Sequence, residues 1–235
     1  MEHIKEVLGN LPSGTNTQNQ TIEPEPAEPT LEEKREELRK SLGVASLENT
    51  FENFDLVPGT EKVLAAFKAL ASGKTLWKIL LVYGGTGNGK THLCDAAVIA
   101  LYKREIRCRV LTMAGIMQAL KNAMEHDRHG NEGKPWTPYA ELLNDFGGRD
   151  YLIIDDVGMG GSGSTWEWGQ LEEIIGVRYH ENLFTILTSN LDIKQDPKNK
   201  EIPFLPERIV SRFRRDPSIG RLILNKGPEY KGREK

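Results

Sequence analysis

Residues Gly84-Gly85-Thr86-Gly87-Asn88-Gly89-Lys90-Thr91 place a glycine, four residues and then Gly-Lys-Thr in a row. That spacing suits the grip of a polyphosphate. Glycines let the backbone bend until consecutive amide N–H groups point inward at phosphate oxygens. A helix beginning near Lys90 adds the positive end of its dipole, Lys90 reaches the β- and γ-phosphates, and the Thr91 hydroxyl ligates Mg2+. The plain alternative is a glycine turn with an incidental lysine. Context argues against it, because an apolar run, Ile79 to Tyr83, directly precedes the loop and a helical pattern directly follows.

Such a loop needs a metal-side carboxylate at the end of a neighbouring strand. Tyr151-Leu-Ile-Ile-Asp155-Asp156-Val157 supplies one, its acids falling where α/β folds place ligands. Asp155 is expected to hold the metal through water and Asp156 to polarise an attacking water; a solvated acidic turn is the alternative. Another apolar run, Phe184 to Thr188, ends in Ser189-Asn190, whose amide can hydrogen-bond the γ-phosphate or the water, although Ser-Asn also makes an ordinary turn. In Glu207-Arg208-Ile-Val-Ser-Arg212-Phe-Arg214-Arg215, Arg208 and Arg212 share one helix face while Ile209 and Phe213 share another that can pack inward. An arginine presented by one subunit to the γ-phosphate held by its neighbour neutralises transition-state charge. A solvated basic face, or ion pairs with residues such as Glu207, is the competing account.

These residues have to be positioned by a sheet. Short apolar runs at Ile79 to Tyr83, Cys108 to Leu111, Tyr151 to Val157, Phe184 to Thr188 and Leu222 to Leu224 alternate with longer amphipathic stretches. Continuous apolar runs separated by helical segments imply a parallel five-stranded sheet with helices on both faces. A helix carrying Val63, Phe67 and Leu70, closed by Gly73, precedes the first run. Further upstream, Thr30 and Glu33 form a capping box and Gly43 suits a helix end, so a helix is expected over 31–42. Its stripe of Leu31, Leu38 and Leu42 is narrow, fitting either a charged lead-in or a partner-binding helix. Residues 9–30 are nearly devoid of apolar side chains, so burial cannot offset the entropy of ordering them. The organisation read from this is an acidic tail over 1–30, a short helix and linker over 31–50, an α/β domain over 51–231 and a tail over 232–235.

Lys and Arg number 31 against 34 Asp and Glu, a formal charge of −3, which argues against a uniformly basic nucleic-acid coat. Basic charge is local, concentrated toward the last 35 residues. Two cysteines, Cys94 and Cys108, cannot build a disulfide framework or a four-cysteine zinc site, and both read as small core residues in a reducing compartment. No apolar run approaches the ~20 residues of a membrane helix, and no cationic leader precedes an apolar block, so a cytoplasmic protein without membrane partners is expected.

In order and spacing these segments resemble the DnaC/DnaI-type helicase loaders and the related IstB-type transposition helpers, within the AAA+ group of P-loop NTPases. The resemblance spans Phe51 to Lys231: Phe51-Glu-Asn-Phe54, the GGTGNGKTHL loop, Leu111-Thr-Met-Ala-Gly-Ile-Met-Gln-Ala-Leu120, LIIDDVG, LTSN, the ERIVSRF helix and Gly227-Pro-Glu-Tyr230-Lys231. It implies an ATPase that oligomerises with its nucleotide at subunit boundaries, engages single-stranded DNA and escorts a hexameric replicative helicase onto it. Residues 84–91 and Asp155 would hold Mg-ATP, Asn190 would be the first sensor and Arg212 the arginine finger, with Arg208 beside it. The stretch from Ala114 to Pro138 matches the DNA-contacting region of such loaders, with Lys121, Arg128 and Lys134 as phosphate contacts and Trp136 or Tyr139 as stacking residues. A surface loop with scattered charges is the simpler account there. Trp166 and Trp168 fall with Leu171, Ile174 and Ile175 at helical spacing and read as packing. Two departures stand out. Asp156 replaces the glutamate usual in AAA+ proteins, which implies slow turnover, and the helical lid of larger AAA+ proteins is not expected. An IstB-like transposase helper and a nucleotide-gated adaptor with little hydrolysis are the competing readings.

Overall fold

A computed structural model describes residues 29–130, 138–158, 164–199 and 202–230, with residues 128–130 described by backbone alone. Its elements run α1 (Leu31–Leu42), α2 (Glu61–Ala71), β1 (Ile79–Tyr83), α3 (Lys90–Tyr102), β2 (Val110–Thr112), α4 (Met113–Gly130), α5 (Pro138–Gly148), β3 (Tyr151–Val157), α6 (Thr165–His180), β4 (Phe184–Ser189), α7 (Glu207–Arg214) and β5 (Gly220–Leu224). The strands form one sheet in the order β2-β3-β4-β1-β5, every pair parallel.

Alternation along the strands divides the core. Ile79 and Leu81 of β1 join a cluster with Met117 and Leu120 of α4, Ile174 of α6 and Phe213 of α7. Leu80 and Val82 point the other way, to Phe67 and Leu70 of α2 and Leu93 and Val98 of α3. Both faces of the sheet are therefore buried, which is why its strands read as unbroken apolar runs. β2 begins at Val110, two residues later than the Cys108 start expected from hydropathy. As an edge strand it pairs only with β3, Val110 to Thr112 facing Ile153 to Asp155, and Cys108 is half-buried ahead of it.

α1 has the expected capping box between Thr30 and Glu33, and Gly43 ends it in the left-handed conformation. Leu42 and Val44 sit in the α2/α3 core cluster, with Leu38 packed against it, while Leu31 stays 78% exposed. The helix thus docks by its C-terminal end on the domain that follows. Residues 1–28 of the expected tail, Lys134, Trp136, Lys231 and residues 232–235 lie outside the described residues. Among those described, no helix is long and apolar enough to cross a membrane.

One buried charge ties the layers together. Arg178 of α6 is 0% exposed and donates to the carbonyls of Phe146, Gly147 and Arg149 at the end of α5, to Phe184 O and to Thr185 Oγ1. Its bonded acceptors at the end of α5 carry the negative end of that helix dipole, and burial lowers its pKa to about 10 against the pull of charges that include Asp150. Arg178→Ala strands these acceptors without water and is expected to cost on the order of 3 kcal/mol, read from the urea midpoint.

Candidate active site

Parallel register brings the polar ends of the strands to one edge of the sheet. Val82 and Tyr83 lie beside Thr188 and Ser189, so the loop leaving β1 starts next to Asn190. The Gly84 amide donates to Ser189 O at 3.2 Å, fixing that start. The loop turns through Gly84 at φ 143° and Gly89 at φ 86°, both closed to a side chain. A Cβ would come within 2.4 Å of Asn225 O at the first and 2.6 Å of Phe54 Cε2 at the second.

Lys90 opens α3 and is only 5% exposed. Its ammonium donates to Gly84 O at 3.0 Å, Gly85 O at 2.6 Å and Asn88 Oδ1 at 2.9 Å. Burial lowers its pKa, while the Asp155 and Asp156 charges pull it back up. Asp155 is 3% exposed. Its Oδ1 accepts the Thr188 hydroxyl, with the Cys94 thiol at 3.8 Å. Asp156 sits at φ 55°, in an irregular step between Ile154 and Val157 where β3 and β4 lose register. That conformation costs an aspartate about 1 kcal/mol and turns its carboxylate into the cleft. There Asn190 Nδ2 donates to Asp156 Oδ1 at 3.3 Å. Burial and the Asp155 charge raise the Asp156 pKa against the pull of Lys90 and Asn190. Thr188 serves both acids: its hydroxyl accepts from the Asp156 amide at 3.3 Å and donates to Asp155.

These groups border a cleft of about 850 Å3 lined by Gly87 to His92, Asp156 and Asn190. Its far wall comprises Asn53 to Asp55, Val57, Thr60 and Pro228 to Tyr230. The last of these is fastened over the loop by the Tyr230 amide, which donates to Gly87 O at 2.8 Å. Sequence reasoning placed none of that wall in the site. The signal lay in Phe54 and Tyr230, aromatic residues set in polar segments outside any periodic pattern. The donor set fits a nucleoside triphosphate and a divalent cation: a buried ammonium and a helix N-terminus for phosphate, the Thr91 hydroxyl and Asp155 for the ion. The ion, when bound, neutralises charge on the β- and γ-phosphates.

Comparison with known proteins agrees with this geometry. The model of the bacterial DnaA ATPase domain matches residues 46–218. The chain belongs to the DnaA ATPase-domain family. The chromosomal replication initiator protein DnaA of Limosilactobacillus fermentum is 30% identical over 171 residues, 71% of this chain and 35% of that protein. The chain therefore spans about a third of the length of the curated relatives it matches. A replication initiator DnaA bound to AMPPCP and single-stranded DNA superposes with TM-score 0.58 at 26% identity, over 77% of this chain and 50% of that one. The DnaC helicase loader superposes with TM-score 0.55 at 21% identity, over 76% of this chain and 97% of that one. With the loader the shared ground is the AAA+ P-loop fold, which the sheet order and loop placement here display.

Within this DnaA-type domain Arg212 is not at the cleft. It lines a second groove of about 600 Å3 between α6 and α7, with Arg208, Arg215, Glu172 and Tyr179. Its guanidinium lies 5.3 Å from the Tyr179 ring centroid, and Arg208 lies 3.6 Å from Glu172. Glu207 pairs instead with Arg214. Ile209 and Phe213 are buried, as their spacing predicts. In the stretch expected to meet DNA, Lys121 pairs with Glu167 at 2.8 Å and lies over the Trp166 ring, and the Tyr139 hydroxyl bonds Gln170. Both side chains are thus engaged by α6. Trp166 and Trp168 pack against the core cluster, as expected.

Thr188→Val preserves the branched shape while removing the hydroxyl that fixes both acids. It is expected to leave Mg-free ATP binding unchanged and to lower Mg-dependent turnover about a hundredfold, a size typical of catalytic groups displaced by an ångström. Isothermal titration and phosphate release measure the two.

Proposed function

We propose that this chain is an ATP-dependent helicase loader of DNA replication, one that binds Mg-ATP, engages single-stranded DNA and delivers a hexameric replicative helicase to it. The observation that carries the reading is the position of Arg212. The groove that Arg212 lines shares no residue with the nucleotide cleft. An arginine so placed acts on a γ-phosphate only when a second copy brings its cleft to α7, so hydrolysis becomes a report of assembly. Residues 84–91 hold the triphosphate, Thr91 and Asp155 the Mg2+, Asp156 polarises the attacking water, and Asn190 links that acid to the end of β4. Turnover is slow, because Asp156 is a methylene shorter than glutamate and already bonded to Asn190. The DnaC fold and the loader-like motifs support the delivery step. Cytoplasmic location follows from the same reading.

The sequence relatives favour a second reading, a DnaA-like replication initiator. ATP turnover measured alone, with single-stranded DNA, and with DNA plus a hexameric replicative helicase separates the two. A loader is stimulated by DNA and transfers the helicase to it; stimulation without transfer supports the initiator-like reading. Lys90→Ala is expected to abolish ATP binding and loading together, and loading that persists rejects an ATP-driven mechanism. Arg212→Ala is expected to spare ATP binding by the isolated chain while DNA-stimulated turnover returns to the unstimulated level. Unchanged stimulation removes Arg212 from the site.

A further inference from the structure

Asp95 lies one helical turn beyond Thr91 on α3, in the apolar interior beneath the loop, and is 1% exposed. A carboxylate there must find donors, and all of those shown come from one segment of chain. Its Oδ2 accepts from the Ala45 amide at 3.1 Å, the Ser46 amide at 3.2 Å and Asn49 Nδ2 at 2.8 Å. Three residues earlier on the same helix face, His92 Nε2 lies 2.8 Å from Thr50 O. Asn53 then folds the strap back on itself, accepting from the Thr50 amide at 2.9 Å and donating to Glu48 O at 2.6 Å. At the end of this chain of bonds Phe54 meets the His92 ring edge-on, centroids 5.3 Å apart, and lies against Gly89. The strap from Val44 to Phe54 thus hangs from α3 at Asp95 and His92, and its last residues line the nucleotide cleft, with Phe54 packed beside Gly89.

We propose that Asp95 is a positioning residue for the base end of the nucleotide: it fastens the strap that presents Phe54, and so sets how much tighter ATP binds than its phosphates alone. This rests on the nucleotide reading of the cleft. The phosphate grip comes from Lys90, the loop amides and the start of α3, and the strap meets these only where Phe54 packs on Gly89. The two halves of the ligand are therefore separable by mutation.

Asp95→Asn keeps the shape and sets an NH2 donor against a cluster of donors. The probes are Mg-ATP and Mg-tripolyphosphate, titrated into the full chain. The expected result is a tenfold loss in ATP affinity with tripolyphosphate affinity unchanged, and an ATP KM raised about as much with kcat within twofold. Asn49→Ala, which removes one donor and leaves the carboxylate, gives a smaller shift of the same kind and serves where Asp95→Asn does not fold. Since both ligands require the folded state, general destabilisation lowers both affinities and leaves their ratio alone. Equal losses for the two ligands overturn the proposal, as do unchanged affinities or a wild-type chain that binds ATP no better than tripolyphosphate. A wild-type chain that binds neither ligand instead overturns the nucleotide reading.

Discussion

The site is organised around a lysine ammonium taken out of water. Lys90 has traded hydration for two loop carbonyls and the Asn88 side chain. A buried cation is tolerated only where acceptors are already aimed at it. Aiming them requires a backbone that turns back on its own lysine, hence glycine where Asn225 and Phe54 crowd the turn. Asn88 extends the constraint: its Nδ2 donates to Asn225 O and its backbone carbonyl accepts from Asn225 Nδ2, tying the loop to the residue that follows β5. The phosphate loop is thus tied to the end of the sheet through Asn88 and Asn225.

Charge in this pocket is balanced without a direct Lys90 salt bridge. Burial alone drives Lys90 toward neutrality and Asp156 toward protonation, and their mutual attraction opposes both shifts. An added triphosphate would favour the lysine cation, and a divalent ion would favour the carboxylates, so ligand and ion together complete a charge set that the protein leaves open. The strained Asp156 backbone belongs to the same arrangement. Only a break in the β3–β4 register lets two successive residues serve one site, Asp155 buried against Thr188 and Asp156 turned into the cleft.

Hydropathy made β1, β3 and β4 legible because each is buried on both faces, and the capping box placed α1 to the residue. The short edge strand β2 was misplaced at its start, since it has one partner and little burial to announce it. Residues at strand ends and in the phosphate loop were legible because their chemistry is local. The far wall was not. It is assembled by single polar residues, Asp95 for residues 45–49 and Asn225 for the segment after β5, each joining positions tens of residues or more apart. A contact of that sort leaves no period in the sequence. Lys121 and Tyr139 show the converse: spacing alone does not reveal that both side chains are engaged by α6.

Separating the arginine groove from the cleft has a physical consequence for control. Inside one copy, Arg212 is held by the Tyr179 ring among Glu172 and Glu173, so its charge is partly satisfied where it stands. In the assembly proposed above, a neighbour's γ-phosphate would have to outcompete that environment to recruit it. A triphosphate reaches one phosphate further toward that interface than a diphosphate and carries more charge, and charge-assisted pairing strengthens as water leaves. An interface built this way would be tightest while the triphosphate is intact and would weaken once it is cleaved. On the proposed function, assembly and nucleotide state would then be coupled through the same guanidinium, with no further moving part.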